Sequence, residues 1–431
     1  MEKKKGGSAD FGKKGWIVVI ISMFYWLLGS SLTSDGLNTI LPHLMEKFGS
    51  SRTSLALFST LGGWISTIGI IVFGSLAMKM GSKKIIMISG IGGIIACLIM
   101  GYGGSPLVWG LGLILYFVMI SGMNGIAVQN IGAEWFPTKK GMFMGISTMG
   151  ITLGACTINL FLNATLVRGL HVSMIGWSIL IVLVLLATQF FVTNTPEESG
   201  AYPDNDKSMT KEKVAELQKI AEEYRKTSPW TVKKVLTYKT TWLIIVGWGM
   251  MMMCAGGILA QVVSAFVSYG HDPMQAIWCF TYLFPVGFFC SWLGGLIDSK
   301  FGTRAGSVFS AALLILGAGV ILLFGKNLIA CIIGTALFMG AMSAANNMTM
   351  SITTSVWGRY DFPNAWRVIS VGTKIVTSAG VVLMSLMADK TGSYAGAFWA
   401  MLISAVISIV IILITDEHCV GRTDEELLAK K

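Results

Sequence analysis

Apolar runs long enough to cross a bilayer recur from one end of this sequence to the other, and nothing else in it constrains the fold as tightly. A membrane-spanning helix needs about 20 apolar residues to cover about 30 Å of hydrocarbon. Such runs lie near 16–41, 53–77, 85–103, 107–131, 141–165 and 171–192, and again near 240–265, 274–297, 305–324, 327–355, 365–388 and 394–415. The reading is an all-α integral membrane protein of twelve transmembrane helices in two six-helix bundles. Composition agrees: 54% of the 431 residues are hydrophobic and 13% charged, against about 25% charged in soluble domains. That much apolar surface excludes a string of water-soluble domains. The run from Trp16, behind Lys3, Lys4 and Lys5, imitates a secretory leader, but no small-residue cleavage site follows and similar runs recur, so it reads as the first span.

The order is a tail (1–15), a first bundle (16–192), a linker (193–239), a second bundle (240–415) and a second tail (416–431). The linker is the one long polar segment, and Val214, Leu217, Ile220 and Ala221 recur in it at helical spacing, which predicts a short surface helix. The net charge of +10 raises the question of nucleic acid. With both termini placed inside, however, the 32 basic residues fall in tails and inward connections, except Lys47, Arg52, Arg168, Lys326 and Lys390 outside and Lys374 within a span. This is the positive-inside pattern of a multi-pass protein of the plasma (inner) membrane with cytosolic termini, and no nucleic-acid partner is expected. Nothing in the sequence requires an oligomer, so a monomer in membrane lipid is expected.

Six of the seven cysteines sit inside apolar runs without zinc or redox spacing, and His43, His171, His271 and His418 lie at span ends. Neither a Walker loop, a dinucleotide fingerprint, a nucleophile elbow nor an HExxH motif occurs. No enzyme activity, metal or cofactor is expected.

A loop is repeated. Gly74-Ser-Leu76-Ala-Met78-Lys79-Met-Gly81 ends the second span, and Gly294-Gly-Leu296-Ile-Asp298-Ser-Lys300-Phe-Gly302-Thr-Arg304 ends the eighth. Glycine permits close helix contact and positive φ there, while acid and base can cap or latch helix ends. On these residues the chain resembles the major facilitator superfamily, whose loop is G-x-L-x-D-(R/K)-x-G-(R/K). The resemblance implies two pseudo-symmetric bundles and a cytosolic gate at Gly74, Lys79, Gly81, Asp298, Gly302 and Arg304. Met78 replaces the usual Asp in the first copy, and the second has one extra residue, which assigns the charged latch to the second half.

Trp135-Phe136-Pro137-Thr138-Lys139-Lys140-Gly141, the following Gly145, Gly150 and Gly154, and Pro196-Glu197-Glu198 with Tyr202-Pro203-Asp204 are similar to the oxalate/formate antiporter and monocarboxylate transporter branch. The glycines fit close packing of the fifth helix on a neighbour. The Gly-Pro pair of drug/proton antiporters is absent from that span.

An ionisable side chain inside a span costs about 2.5–3.5 kcal/mol or more and marks a functional candidate. Lys374 lies nine residues into the eleventh span, about 13 Å deep and near the midplane. A midplane ammonium attracts a carboxylate, and an arriving anion relieves its burial; the alternative is a structural lysine that pairs with an acidic side chain or bonds to carbonyls. The branch resemblance implies the same, since its members carry a lysine in this span. They also carry an arginine in span eight, or a lysine in span one, and neither occurs in 274–297 or 16–41, which argues against two-carboxylate substrates such as oxalate. Asp35, among Ser30, Ser31, Thr33, Ser34 and Asn38, is a candidate proton-coupling carboxylate or, alternatively, a turn residue or the ion-pair partner of Lys374 in an empty site. Asn124, Gln129, Thr152, Asn159, Gln261, Tyr282, Asn346 and Asn347 could bind substrate or bond helices together. Trp26, Trp64, Trp248, Met250–Met253, Trp278 and Phe284 offer apolar lining. Arg359 and Arg367, flanking Asp361, read as topology charges in the tenth-to-eleventh connection.

The expected function is secondary active transport of a small organic anion, a monocarboxylate with an apolar body, by alternating access with either proton symport or anion exchange. The alternatives are export of hydrophobic compounds and, behind it, a membrane sensor that moves nothing.

Overall fold

The computed structural model describes residues 10–50, 52–206, 219–225, 227–272, 275, 279 and 282–422. Among them every regular element is a helix, the form in which a chain in hydrocarbon satisfies its own backbone polar groups. α1 joins Gly12–Ser30 to Gly36–Phe48 through a wide π-helical turn at Ser31–Asp35. α2 is Arg52–Met80 and α3 is Ser82–Tyr102. α4 repeats the design of α1, with Pro106–Ile120, a π-helical turn at Ser121–Ala127, and Val128–Trp135. α5 consists of Lys140–Ser147 and Met149–Leu166, and α6 is Leu170–Phe191. α7 (Lys239–Ser268), α8 (Phe284–Phe301) and α9 (Thr303–Phe324) follow the linker. The run Leu328–Thr391 breaks at Gly358 (φ 66°, ψ −169°), and its two arms are α10 and α11; α12 is Tyr394–Ile414.

Ten described helices are long and apolar enough to cross a membrane. Dividing the longest at Gly358 adds one, and the 18-residue α8, which ends on Asp298 and Lys300, adds the twelfth. Trp64, Ile68, Leu160 and Phe190 keep their apolar side chains on the outside, as lipid contact allows.

The chain divides into two compact units, one of Asp10–Trp135 with Gly150–Val214 and the other of Phe136–Met149 with Ala215–Lys431. The entry to α5 therefore clusters with second-half helices. Within the first unit, Gly150 and Gly154 of α5 face the backbone carbonyls of Met23 and Leu27 on α1. Within the second, Gly380 of α11 faces the Met253 carbonyl and Gly257 of α7. A shift of 230 residues carries Met23 onto Met253 and Gly150 onto Gly380, so the same close packing recurs in both halves.

The repeated loop recurs in detail as well. Gly81 (φ 84°, ψ 155°) is the single residue between α2 and α3, and Gly302 (φ 92°, ψ 166°) the single residue between α8 and α9. A positive φ of this size requires glycine.

The break at Gly358 is held from two directions. Val420 N–H donates to the Val356 carbonyl at 2.7 Å, and Trp230 Nε1 donates to the Val420 carbonyl at 3.2 Å. The Trp230 ring stands edge-on to Trp357 and Tyr238. Residues 219–225 of the linker are helical with Ala221 buried; Val214 and Leu217, which carry the rest of the apolar spacing, lie outside the described residues. Just beyond that helix Ser228 donates to Asp361, as Tyr224 Oη does at 2.8 Å. Burial and the Asp361 carboxylate push the Tyr224 hydroxyl up to about 12.

Candidate functional site

Lys374 is half-buried on α11, fifteen residues from Arg359 and seventeen from Thr391, or about 22 Å and 26 Å along the axis. The packed face of α11 is a different one: Gly372 lies against Ile245, Thr373 and Val376 against Gly249, and Gly380 against Gly257. The chain turns at Gly358 alone, so α11 starts at Arg359, and Asp361 and Arg367 are helical instead of lying in a connecting loop.

In the first unit Asp35 closes the π-helical turn of α1; its side chain, with those of Ser34 and Asn38, lies outside the described residues. Neighbouring hydroxyls are returned to their own helix: Ser30 to the Trp26 carbonyl, Ser31 to Leu27 and Thr33 to Gly29. Asn124 sits in the π-helical turn of α4, and its side chain fills the space that Gly29 leaves open. Tyr116 Oη donates to the Leu28 carbonyl at 2.7 Å, which ties α4 to α1 just ahead of the widened turn in each. Such turns are frequent at functional sites. Asn124 Oδ1 is buried without a hydrogen-bond partner among the described residues.

The remaining candidates divide by role. Thr152 is buried on α5. Asn159 accepts from Thr39 at 2.8 Å, joining α5 to α1. Gln261 Oε1 accepts from Tyr394 Oη at 2.9 Å, joining α7 to α12. Tyr282 is 69% exposed. Asn346 is half-buried, whereas the adjacent Asn347 is fully buried and bonded. Asn347 accepts from Thr148 Oγ1 at 2.6 Å and donates to the Ser291 carbonyl at 3.1 Å, and Ser291 Oγ donates to the Gly145 carbonyl at 3.0 Å. This polar brace fixes the entry of α5 on α8 and α10 beside a close Gly145–Gly295 contact. Thr148 and Ser291 were not among the sequence candidates, and neither carries a motif. Trp248, Met251 and Met253 are core, with Trp248 Nε1 bonded to Ser307 at 2.9 Å, while Trp64 is on the outside; Trp278 and the Phe284 side chain lie outside the described residues.

At the repeated loops, Gly74 is buried in α2 and Lys79 is exposed in its last turn. Asp298 is buried, accepts from Thr303 at 2.8 Å and lies against Gly141. Arg304 donates through its guanidinium to the Thr415 carbonyl and pairs with Glu417.

A family model described as the Major Facilitator Superfamily matches residues 16–358. No curated protein matches the chain. Among solved structures, a proton:xylose symporter bound to 6-bromo-6-deoxy-D-glucose superposes with a TM-score of 0.78 at 13% identity, covering 96% of this chain and 98% of that one. A fucose:proton symporter from E. coli superposes with a TM-score of 0.65 at 14% identity, covering 93% and 98%.

Proposed function

The chain belongs to the major facilitator superfamily of secondary transporters, and from that premise we propose that it moves a small monocarboxylate with an apolar body across the plasma membrane. The observation that carries the reading is Lys374, a cationic side chain midway along a continuous membrane-spanning helix. An ammonium at that depth gains most from an anionic partner, and its cost is relieved when the partner is cargo. Structural neighbours carry xylose and fucose. A neutral sugar gives a lysine nothing to neutralise, which favours an anion over a sugar. Alternating access of the two halves delivers the cargo, coupled either to a proton carried by Asp35 or to a counter-anion at Lys374. The widened turn ending at Asp35 supports its assignment to coupling.

Flux into proteoliposomes tests the proposal. Lactate, pyruvate and benzoate are expected to enter, with their neutral amides excluded and Lys374→Ala inactive. Stimulation by an inward proton gradient identifies symport; indifference to the gradient with acceleration by internal anion identifies exchange. Uptake of the amides or of apolar cations instead of the acids would overturn the anion reading in favour of export of hydrophobic compounds, and binding without any flux would favour a sensor.

A further inference from the structure

α11 carries a second cation on the face of Lys374, and a hydroxyl lies between them. Arg367 precedes Lys374 by seven residues, so at 100° and 1.5 Å per residue the two side chains project within about 20° of each other and about 10 Å apart along the axis. Ser370 lies between them, within about 60° of both. This stripe is turned by about 140° from the face that Gly372, Thr373, Val376 and Gly380 pack on α7. Ser370 is 9% exposed, and its Oγ has no hydrogen-bond partner among the described residues. Neighbouring hydroxyls behave otherwise: Thr373 donates to the Ile369 carbonyl at 2.8 Å and Ser378 to the Ile375 carbonyl at 2.7 Å. A buried hydroxyl that forgoes its own helix has a donor free for a ligand.

We infer that Arg367, Ser370 and Lys374 form a two-station anion relay on α11, in which a carboxylate held at Lys374 passes the Ser370 hydroxyl and is received by the Arg367 guanidinium toward the α10–α11 end. The inference rests on the Lys374 reading above. Its chemistry is that of the donors. A guanidinium offers a planar fork to both oxygens of one carboxylate, an ammonium acts as a point charge, and a hydroxyl between them donates to an oxyanion moving from one to the other. Two cations on one track bind the anion without trapping it, because each offers an exit from the other. The relay makes Arg367 a determinant of rate and Lys374 a determinant of affinity.

The test compares equilibrium binding with exchange in reconstituted wild type, Lys374→Ala, Arg367→Gln, Arg367→Lys and Ser370→Ala, with lactate, pyruvate and benzoate as probes. Arg367→Gln and Ser370→Ala are expected to keep apparent affinity within about threefold while exchange slows, about tenfold for the first and severalfold for the second; a tenfold change corresponds to about 1.4 kcal/mol. Arg367→Lys is expected to recover much of the rate, which a purely structural arginine would not require. Wild-type exchange in both Arg367→Gln and Ser370→Ala, with Lys374→Ala inactive, would overturn the relay and leave the Lys374 site standing. Undiminished binding and exchange in Lys374→Ala would overturn both. Should Arg367→Gln fail to fold, Ser370→Ala and Arg367→Lys carry the same comparison.

Discussion

Glu417 Oε1 accepts the backbone N–H of Arg304 at 2.8 Å, so a side chain from beyond the end of α12 caps the first turn of α9. In the first half Asn194, from beyond the end of α6, accepts the N–H of Lys83 at 2.9 Å and caps α3. Each capped residue stands two places after the single left-handed glycine of its loop, Gly81 or Gly302. The repeat therefore extends past sequence similarity to a shared device: an orphan helix N–H satisfied by a side chain just beyond the last helix of the same half. The halves differ in charge. Burial raises the pKa of Glu417, with Arg304, 3.7 Å away, opposing the shift.

Removing the cap should cost what caps cost. Glu417→Ala is expected to lower unfolding stability by about 1 kcal/mol. Glu417→Gln keeps the acceptor. Because the folded-state pKa is raised, the glutamate's contribution is fully present below its unfolded value and declines as pH rises through the folded one. Glu417→Gln, which resembles the protonated acid, should therefore gain on wild type over the range of pH that opens upward from the unfolded glutamate's ordinary value, about 4.3. Thermal unfolding midpoints across that range check both the cost and the sign.

Close helix contact through glycine predicts a position-specific penalty. A Cβ at Gly150 or Gly380 would meet the carbonyl of Met23 or Met253, whereas a Cβ at Gly63 meets nothing within 4 Å. Gly150→Ala and Gly380→Ala are expected to destabilise by about 1–3 kcal/mol each, and Gly63→Ala to be neutral or slightly stabilising. Unfolding midpoints of the three variants in one detergent measure the contrast.

The brace of Thr148, Ser291 and Asn347 should behave as a coupled unit. A double-mutant cycle of Thr148→Val and Asn347→Leu is expected to give a coupling of about 0.6–1.7 kcal/mol, from the average to the largest value measured for interhelical hydrogen bonds in a membrane bundle. Additive effects would show that the 2.6 Å bond between them contributes nothing to stability.

The sequence made the helices legible because hydrocarbon leaves an apolar run few alternatives, and it exposed the repeated loop because positive φ at Gly81 and Gly302 demands one residue type. Other features left no such signature. The charges of Arg359, Asp361 and Arg367 resemble a loop, yet the helix persists because Tyr224 and Ser228 bond Asp361 and Arg359 lies over the Tyr360 ring. Asn346 and Asn347 are adjacent, and spacing alone does not tell which of them turns inward. The π-helical turns of α1 and α4 have no compositional mark, and the caps from Asn194 and Glu417 join residues more than a hundred positions apart.

The central claim, that Lys374 receives the carboxylate of the cargo, is tested most directly by ligand-induced thermal stabilisation of purified wild type and Lys374→Ala across carboxylates and their neutral amides. The account predicts that carboxylates alone stabilise the wild type and that the effect vanishes in Lys374→Ala while its unliganded midpoint is preserved. Equal stabilisation of both proteins by the same carboxylates would contradict it and make Lys374 a structural residue.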